Sequence, residues 1–276
     1  MQSIPVMING LPGKVAGVIA RHVLADPRFT FIPCSFTGPE IRQDEDKVQG
    51  TAVRLIRPDG REAALAELQR THARFLSVDY THPTAVNANA EFYCRHRLPF
   101  VMGTTGGDRA ALEETVRRSD IAAVIAPNMA KQIVGFQAMM EFAAQSFPDL
   151  FKGYRLEIRE SHQQGKADTS GTARAMVGYF NRLGTPFREE QIEMERDPQV
   201  QKTRWGVPEE HLAGHGWHTY RLTSADGTVR FEFTHNVNGR EIYASGTIDA
   251  LIYLERKTAA GERGRVFTMI DVLKGL

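Results

Sequence analysis

The stretch IPVMINGLPGKVAGVIARHVLA, residues 4–25, carries the reading of the fold class. IPVMIN is a short apolar run bounded by glycine, which predicts a strand. KVAGVIARHVLA has apolar residues at helical spacing, which predicts a helix. The turn between them, INGLPGKVAG, brings backbone N–H groups and the positive end of the helix dipole to one point, the arrangement that holds a pyrophosphate in dinucleotide folds. The usual pattern is G-x-G-x-x-G. Here Gly10 takes the first position, Pro12 the second, and Ala16 or Gly17 the third. Proline has no N–H to give, so one cradle contact is lost or passes to Gly13 or Lys14. A tight β–α turn without a ligand has the same spacing, so the loop alone leaves both readings open. Its candidate cofactor residues are Gly10, Pro12, Gly13, Lys14 and Val15.

Outward from that unit the same alternation repeats. FTFIPCSF reads as a second strand, AVRLI as a third, AALAEL as a helix, and ARFLSVDY as a strand ending at Thr81-His82-Pro83. A helix over 85–94, strand LPFVMGT, helix DRAALEETVRRS and strand IAAVIAP follow. Such alternation predicts a Rossmann-like doubly wound parallel sheet with helices on both faces. After about Met129 the pattern changes. KQIVGFQAMMEFAAQSF is a long helix, YRLEIRESH a strand of period two, and ARAMVGYFNRL a helix with Ala173, Met176, Val177, Phe180 and Leu183 on one face. GWHTYRLTSADGTVRFEFTH is a hairpin turning at Asp226-Gly227. IYASGTIDALIYLERK leads to a final strand or helix. The expected class is α/β, with a second, α+β substrate domain built on a mostly antiparallel sheet.

Composition narrows the function classes. The chain has 276 residues, a net charge of +1 and 42% hydrophobic residues, enough for a core and too neutral to attract nucleic acid or an anionic membrane. Met1-Gln2-Ser3 lacks a basic leader, and no apolar run approaches the roughly 20 residues of a membrane helix. Cys34 and Cys94, the only cysteines, suggest neither a disulfide framework nor a zinc site. His211, His215 and His218 form H-x3-H-x2-H without a cysteine or carboxylate to complete a signature, so no metal is expected. These readings predict a soluble cytoplasmic protein with no nucleic-acid or membrane partner.

Two further stretches carry chemistry. An NAD site usually has an acid at the end of the second strand, bonding the ribose 2′-OH. FIPCSFTG has none, and Ser35 and Thr37 lie where it would be. Hydroxyls there, with Lys14 in the loop and Arg42 more distant, suit a 2′-phosphate, so NADPH is expected over NADH. In ESHQQGKADTSGTARAM, residues 160–176, an SGT segment opens a helix that Asp168 or Ser170 could cap. The N–H groups of Gly171 and Thr172 would then face an anion, and Lys166 adds a full positive charge. His162 titrates near neutrality and can protonate a reacting atom. A structural histidine, a surface lysine and a plain cap would each explain one feature. The three together in one polar loop favour a site for a carboxylate or phosphate.

At this point the sequence resembles the dihydrodipicolinate reductases (4-hydroxy-tetrahydrodipicolinate reductases) of lysine and diaminopimelate biosynthesis, in their plant-type form. VMINGLPGKV, VDYTHP, FVMGTTGGDR, APNM, ESHQQGKADTSGTA and HTYRLTS…FEFTHNVNGR carry the likeness, which covers nearly the whole chain. The resemblance implies hydride transfer from NADPH or NADH to a small cyclic dicarboxylate with a conjugated C=C–C=N system. It implies His162 as general acid and Lys166 as substrate cation and second proposed donor. Ser170, Gly171 and Thr172 become the carboxylate cradle, and Arg240 a second carboxylate contact. Gly103, Thr104 and Thr105 become the cofactor-contacting loop, and Ala126, Pro127, Asn128 and Met129 the segment lining the nicotinamide. Gln163 stands where many bacterial members have a second histidine; it can hydrogen-bond a carboxylate but adds no charge.

The resemblance also implies a discontinuous dinucleotide-binding domain, about 1–130 plus 250–276, around a substrate-binding and oligomerisation domain, 131–249. Crossings near Ala130 and Asp249 would let the domains close over substrate. A homo-oligomer, dimer or tetramer, is expected from an antiparallel sheet with a face to spare. Two other functions compete. Another two-domain NAD(P)-dependent dehydrogenase that formed a thioester would want a cysteine beside a histidine, which Cys34 and Cys94 lack. A non-enzymatic nucleotide sensor would not need His162 and Lys166 beside an anion cradle.

Overall fold

The computed structural model describes residues 3–275, so Met1, Gln2 and Leu276 of the expected first domain lie outside the description. The chain forms two compact units, Met1–Val134 with Glu241–Leu276, and Gly135–Arg240.

In the first unit, in chain order, are β1 (Ile4–Asn9), α1 (Lys14–Ala25), β2 (Phe29–Ile32), β3 (Cys34–Phe36), β4 (Glu45–Val48), β5 (Thr51–Ile56), α2 (Arg61–Thr71), β6 (Leu76–Asp79), α3 (Val86–Arg95), β7 (Phe100–Met102), α4 (Arg109–Arg117) and β8 (Ala122–Ile125). Helix α5 (Lys131–Ser146) begins in this unit and runs into the second. The second unit holds β9 (Arg155–His162), α6 (Gly171–Arg182), β10 (Glu193–Glu195), the short turn α7 (Pro198–Val200), β11 (His215–Thr223) and β12 (Arg230–Asn238). The chain then returns to the first unit with α8 (Glu241–Ala259), β13 (Arg265–Phe267) and α9 (Met269–Gly275).

Six parallel strands run in the order β13-β8-β7-β6-β1-β2. Successive side chains in each strand point to opposite faces. Val6 and Ile8 therefore enter one buried cluster with α1 and α8, whereas Met7 enters the other with α2, α3 and α4. Ala122 and Val124 divide from Ala123 and Ile125 in the same way. Strands buried on both faces read as continuous apolar runs, as MINGL's predecessor IPVMI and IAAVI do. The order reverses between β1 and β6, the switch point where ligands bind in open α/β sheets.

One expected strand is two. FTFIPCSF breaks at Pro33, which has no N–H for a ladder. Before it, β2 pairs with β1; after it, β3 pairs with β5 in a separate three-stranded sheet, β3-β5-β4. The β4–β5 hairpin turns through Gln49 and Gly50, both at positive φ. The expected second crossing also moves. Helix α8 is continuous through Asp249, so the chain changes unit at Arg240–Glu241 rather than near 249. IYASGTIDALIYLERK lies in that helix.

The second unit has a sheet of order β10-β9-β11-β12, antiparallel except for the β10–β9 pair. Leu156, Ile158, Tyr220 and Leu222 from this sheet pack against Ala173, Met176, Val177 and Phe180 of α6, as the helical spacing predicts.

At the carboxyl ends of the parallel strands lies a buried polar network. Asn9, Ser77 and Asp79 have no solvent exposure. Asn9 donates to Ser77 Oγ (2.7 Å) and to the Tyr93 hydroxyl (3.0 Å), and its Oδ1 accepts from the Phe36 N–H (2.9 Å). Asp79 accepts from the hydroxyls of Thr81, Thr104 and Tyr93 and from Asn89. Every oxygen of this buried carboxylate is met, which is the condition for keeping it there. Tyr93→Phe removes a donor to Asp79 and an acceptor for Asn9. It should cost about 1–3 kcal/mol in urea denaturation followed by circular dichroism; an unchanged unfolding midpoint would show that the network is not needed.

Candidate functional site

In the first unit the glycine loop sits at the switch point. Gly10 has φ +104°, and a side chain there would strike the Tyr80 carbonyl. Gly103 meets the same residue from β7, since its hydrogen leaves room for the Tyr80 ring. The Tyr80 hydroxyl lies 2.6 Å from Thr247 Oγ1 on α8. One residue further back, Gly246 lets α8 approach the Met129 carbonyl so closely that no Cβ would fit. Three segments read as cofactor-binding, 10–15, 103–105 and 126–129, are thus tied to one another through Tyr80 and α8. Thr104 is buried and bonded to Asp79, while Thr105 is exposed. Asn128 Oδ1 accepts from the Ala130 N–H, turning the chain into α5.

The loop's donors differ from those expected. The Gly13 N–H is taken by the Gly10 carbonyl (2.8 Å). The first outward helix amides therefore begin at Lys14 and Val15, and Lys14 itself is exposed. A positive-φ glycine, a helix N-terminus and an exposed lysine fit a dinucleotide's phosphates.

Ser35 and Thr37 do not face outward as phosphate ligands. Ser35 has no exposure and its Oγ accepts from the Leu11 N–H (3.2 Å); Thr37 is buried and its hydroxyl donates to the Leu11 carbonyl (2.8 Å). Both hold the glycine loop by its backbone. The acid nearest that strand end is Glu40, exposed and folded back onto Gly38, where a Cβ would come within 2.2 Å of both carboxylate oxygens.

The second unit gathers the polar loop around one carboxylate. Period two puts Glu160 on the same inward face of β9 as Leu156 and Ile158, and it is fully buried. Arg196 donates to it at 2.5 Å and the Ser170 N–H at 3.1 Å. Arg196 also donates to the carbonyls of Lys166 (2.8 Å), Glu195 (2.9 Å) and Asp168 (3.3 Å), so one guanidinium fixes the loop from 166 to 168. Gln201, without exposure, donates to the His162 carbonyl (2.7 Å).

Ladder pairing supplies the rest. Across β9–β11, Glu160 faces His218 and His162 faces Gly216; across β11–β12, His218 faces His235. Gly216 makes room for the His162 ring, whose Cε1 would lie 2.9 Å from a Cβ. His162 Nδ1 is 3.0 Å from the His215 carbonyl, an acceptor only. Nδ1 therefore carries the proton of the neutral ring, and Nε2 is the atom that takes and gives another. Nε2 lies 3.4 Å from His218 Nε2 and 3.9 Å from Glu160 Oε2. The Arg240 guanidinium lies against Gly214. No acid pairs with it among the described residues.

Burial lowers the His162 pKa to about 4, and the neighbouring His218 adds to that, against the pull of Glu160 in the other direction. Burial pushes Glu160 upward, but His218, Arg196 and His162 outweigh it and hold the carboxyl ionised. His235 is likewise lowered to about 4 by burial beside His218 and His162. At neutral pH His162 is the uncharged imidazole until a further negative charge arrives.

Several expected donors have other partners. Ser170, not Asp168, caps α6: its hydroxyl accepts from the Thr172 N–H (3.2 Å). The Ser170 N–H serves Glu160, so the outward donors of the SGT segment are the Gly171 N–H and the Thr172 hydroxyl. Lys166 Nζ already holds Asp168 at 2.6 Å. Gln163 is half-buried and its carbonyl accepts from the Lys166 N–H, closing the turn. Sequence reading weighed His218 only within H-x3-H-x2-H and set it aside, and it did not weigh Glu160, Arg196 or His235 as site residues. A charged residue on the apolar face of an alternating strand was the available signal for Glu160.

The parallel sheet with its glycine loop at the switch point places the chain among Rossmann-like nucleotide-binding proteins. Residues 4–129 match the family description "Dihydrodipicolinate reductase, N-terminus" and residues 133–273 its C-terminus. The chain belongs to the dihydrodipicolinate reductase family. It is 45% identical over 272 residues to a probable 4-hydroxy-tetrahydrodipicolinate reductase 1, chloroplastic, of Oryza sativa subsp. japonica, covering 99% of this chain and 79% of that one. It is 46% identical to 4-hydroxy-tetrahydrodipicolinate reductase 1, chloroplastic, of Arabidopsis thaliana, over 98% of this chain and 78% of that one. A dipicolinate-bound dihydrodipicolinate reductase from Paenisporosarcina sp. TG-14 has the same fold, with a TM-score of 0.67 at 17% identity over 98% of this chain and 99% of that one.

Arg196→Met tests the anchor. It leaves Glu160 charged in the interior without its guanidinium partner, at a cost of about 3–5 kcal/mol. Trp205 and Trp217, both in the second unit, report its unfolding by fluorescence. Without Arg196 the folded-state pKa of Glu160 rises from its depressed value, so the variant loses less stability than the wild type as pH falls. The deficit should be smaller near pH 4 than at pH 7. A small, pH-independent deficit would contradict the role given to Arg196.

Proposed function

We propose that the two units divide one reaction, the first holding the reductant and the second the substrate and the proton. The chain reduces 4-hydroxy-tetrahydrodipicolinate to tetrahydrodipicolinate in lysine and diaminopimelate biosynthesis. The 4-hydroxyl leaves as water, which creates the conjugated C=C–C=N system; bound NAD(P)H would then supply the hydride, which adds at one end of that system and leaves an electron-rich centre at the other. Every other task falls to the protein. His162 Nε2 delivers the proton to that centre. Lys166, the Gly171 N–H and the Thr172 hydroxyl hold one carboxylate, with Gln163 beside them. Arg240, which has no acid partner among the described residues, takes the second. The His162 Nδ1–H held by the His215 carbonyl, which frees Nε2 for the proton, is the observation that supports this assignment most directly.

Lys166 must exchange partners. Asp168 neutralises it before substrate arrives, and a substrate carboxylate is the natural replacement. The same charge solves the problem of the neutral His162. Moving a pKa from about 4 to near 7 takes about 4 kcal/mol. At an effective dielectric of about 20, one full negative charge about 5 Å away contributes roughly 3 kcal/mol. A dicarboxylate is therefore enough to charge the ring that must protonate it.

On the reductant, NADPH is proposed over NADH, with support that differs from the strand-end hydroxyls first considered. Those hydroxyls hold the loop, so preference rests on exposed Lys14 near the helix end and is modest, with Glu40 opposing it. Both cysteines are free thiols, which suits a reducing compartment, and a cytoplasmic location is proposed on that ground. Among the described residues no helix is long and apolar enough to cross a membrane. A homo-oligomer is proposed from the second unit's surface, where Met139, Phe142, Phe147, Leu150 and Phe231 are exposed.

His162→Gln should lower kcat roughly a hundredfold or more, with a modest change in KM. In the wild type, kcat/KM reports the free protein and kcat the substrate complex. Both should fall as pH rises through the His162 pKa. The fall in kcat should lie at higher pH, because bound dicarboxylate raises that pKa; coincident limbs, or near-normal turnover of the variant, would overturn the assignment. For the reductant, Lys14→Ala should weaken NADPH severalfold and NADH less, and Glu40→Gln should shift the ratio towards NADPH. Equal effects of Lys14→Ala on both would remove the basis for the preference. Light scattering at micromolar concentration should give a mass above the 30.9 kDa of one chain; that mass itself would refute the oligomer.

A further inference from the structure

Two nitrogen atoms and one oxygen atom of the second unit lie within 4.8 Å of one another. His162 Nε2 and His218 Nε2 are 3.4 Å apart, and Glu160 Oε2 lies 3.9 Å from the first and 3.7 Å from the second. Two imidazole nitrogens facing each other share at most one hydrogen. We propose that Glu160, His162 and His218 form a binding site for a divalent zinc-class cation, and that the cation inhibits the enzyme.

The spacing supports it. Zinc bonds of about 2.0–2.1 Å in a tetrahedron set neighbouring ligand atoms about 3.3–3.4 Å apart. The His162–His218 separation already has that value, and the carboxylate oxygen needs a shift of only about half an ångström. The ligands are also oriented. His162 gives its Nδ1–H to the His215 carbonyl, which turns the Nε2 lone pair inward. Arg196 donates to Glu160 Oε1 (2.5 Å) and the Ser170 N–H to Oε2 (3.1 Å), which fixes the carboxylate and leaves Oε2 a further lone pair for the metal. His218 is 3% exposed, and its Nδ1 is buried with no hydrogen-bond partner. With a hydrogen on Nδ1, the ring offers the Nε2 lone pair to the metal. A fourth position is left for water or substrate, as in open zinc sites. Hard cations such as Mg2+ prefer oxygen ligands and do not suit this set.

The site was not visible as a motif. H-x3-H-x2-H contributes only His218; His211 uses its carbonyl to accept from His215 Nδ1, and the other two ligands come from β9. Inhibition follows from which lone pair the metal takes. His162 Nε2 is the atom assigned to the proton, so this half of the proposal rests on that reading.

The test titrates the full chain with Zn2+ and Co2+ in chelator-free buffer. One cation should bind per chain at this site, raise the thermal midpoint, and give Co2+ the visible bands of low coordination. Turnover should fall and return with a chelator, while Mg2+ leaves it unchanged. His218→Phe keeps the ring stacked on His235 but removes a ligand, and His162→Gln removes another. Each should weaken binding about tenfold or more. Unchanged affinity in both folded variants would overturn the site. Binding through these residues with undiminished turnover would overturn the inhibition. Loss of turnover in metal-free His162→Gln is read separately, so failure of the proton assignment and failure of the metal site are distinguishable.

Discussion

A carboxylate without solvent exposure, Glu160, is the constraint on which the second unit's chemistry depends. A buried charge survives only when paired and hydrogen-bonded. Arg196 supplies the pair, and in doing so binds three carbonyls of the 160–170 loop and its surroundings. The Ser170 N–H supplies a further bond, which fixes where α6 begins. His162 and His218 lie against the same oxygen. The charge that costs most to bury thus positions the helix start, the lysine turn and the proton-carrying ring together. It also explains why His162 stays neutral yet ready. Burial disfavours the imidazolium, Glu160 favours it, and an arriving dianion decides between them.

The first unit solves a similar problem with a different group. Asp79 is buried at a strand end and satisfied by three hydroxyls and an amide. Its neighbour Tyr80 meets both Gly10 and Gly103, neither of which has room for a side chain. Gly10 and Gly103 are therefore explained by one carbonyl and one ring. This is a scaffold requirement, and it holds the three segments proposed to bind the cofactor in fixed relation within that unit.

Much of this was legible in the sequence and some could not be. The β–α alternation from Ile4 onward, the hairpin at Asp226-Gly227 and the amphipathic face of α6 follow from local periodicity. Pro33 inside FTFIPCSF was a readable sign that one strand is two. The direction of Ser35 and Thr37 was not readable, because a residue at a strand end can face loop or solvent. His218 lies 56 residues from His162, and Arg196 36 from Glu160. No local pattern links such pairs; the strand register does. The family resemblance named His162, Lys166 and the SGT segment, but it did not show that Lys166 begins paired with Asp168 or that the Thr172 amide serves as a capped donor.

The central claim is that the substrate charges the acid that protonates it. Calorimetric titration with a stable pyridine-2,6-dicarboxylate analogue, repeated at pH 7 in buffers of different ionisation enthalpy, counts the protons taken up on binding. The account predicts uptake of about half a proton or more per site, abolished in His162→Gln. Binding without proton uptake in the wild type would contradict it.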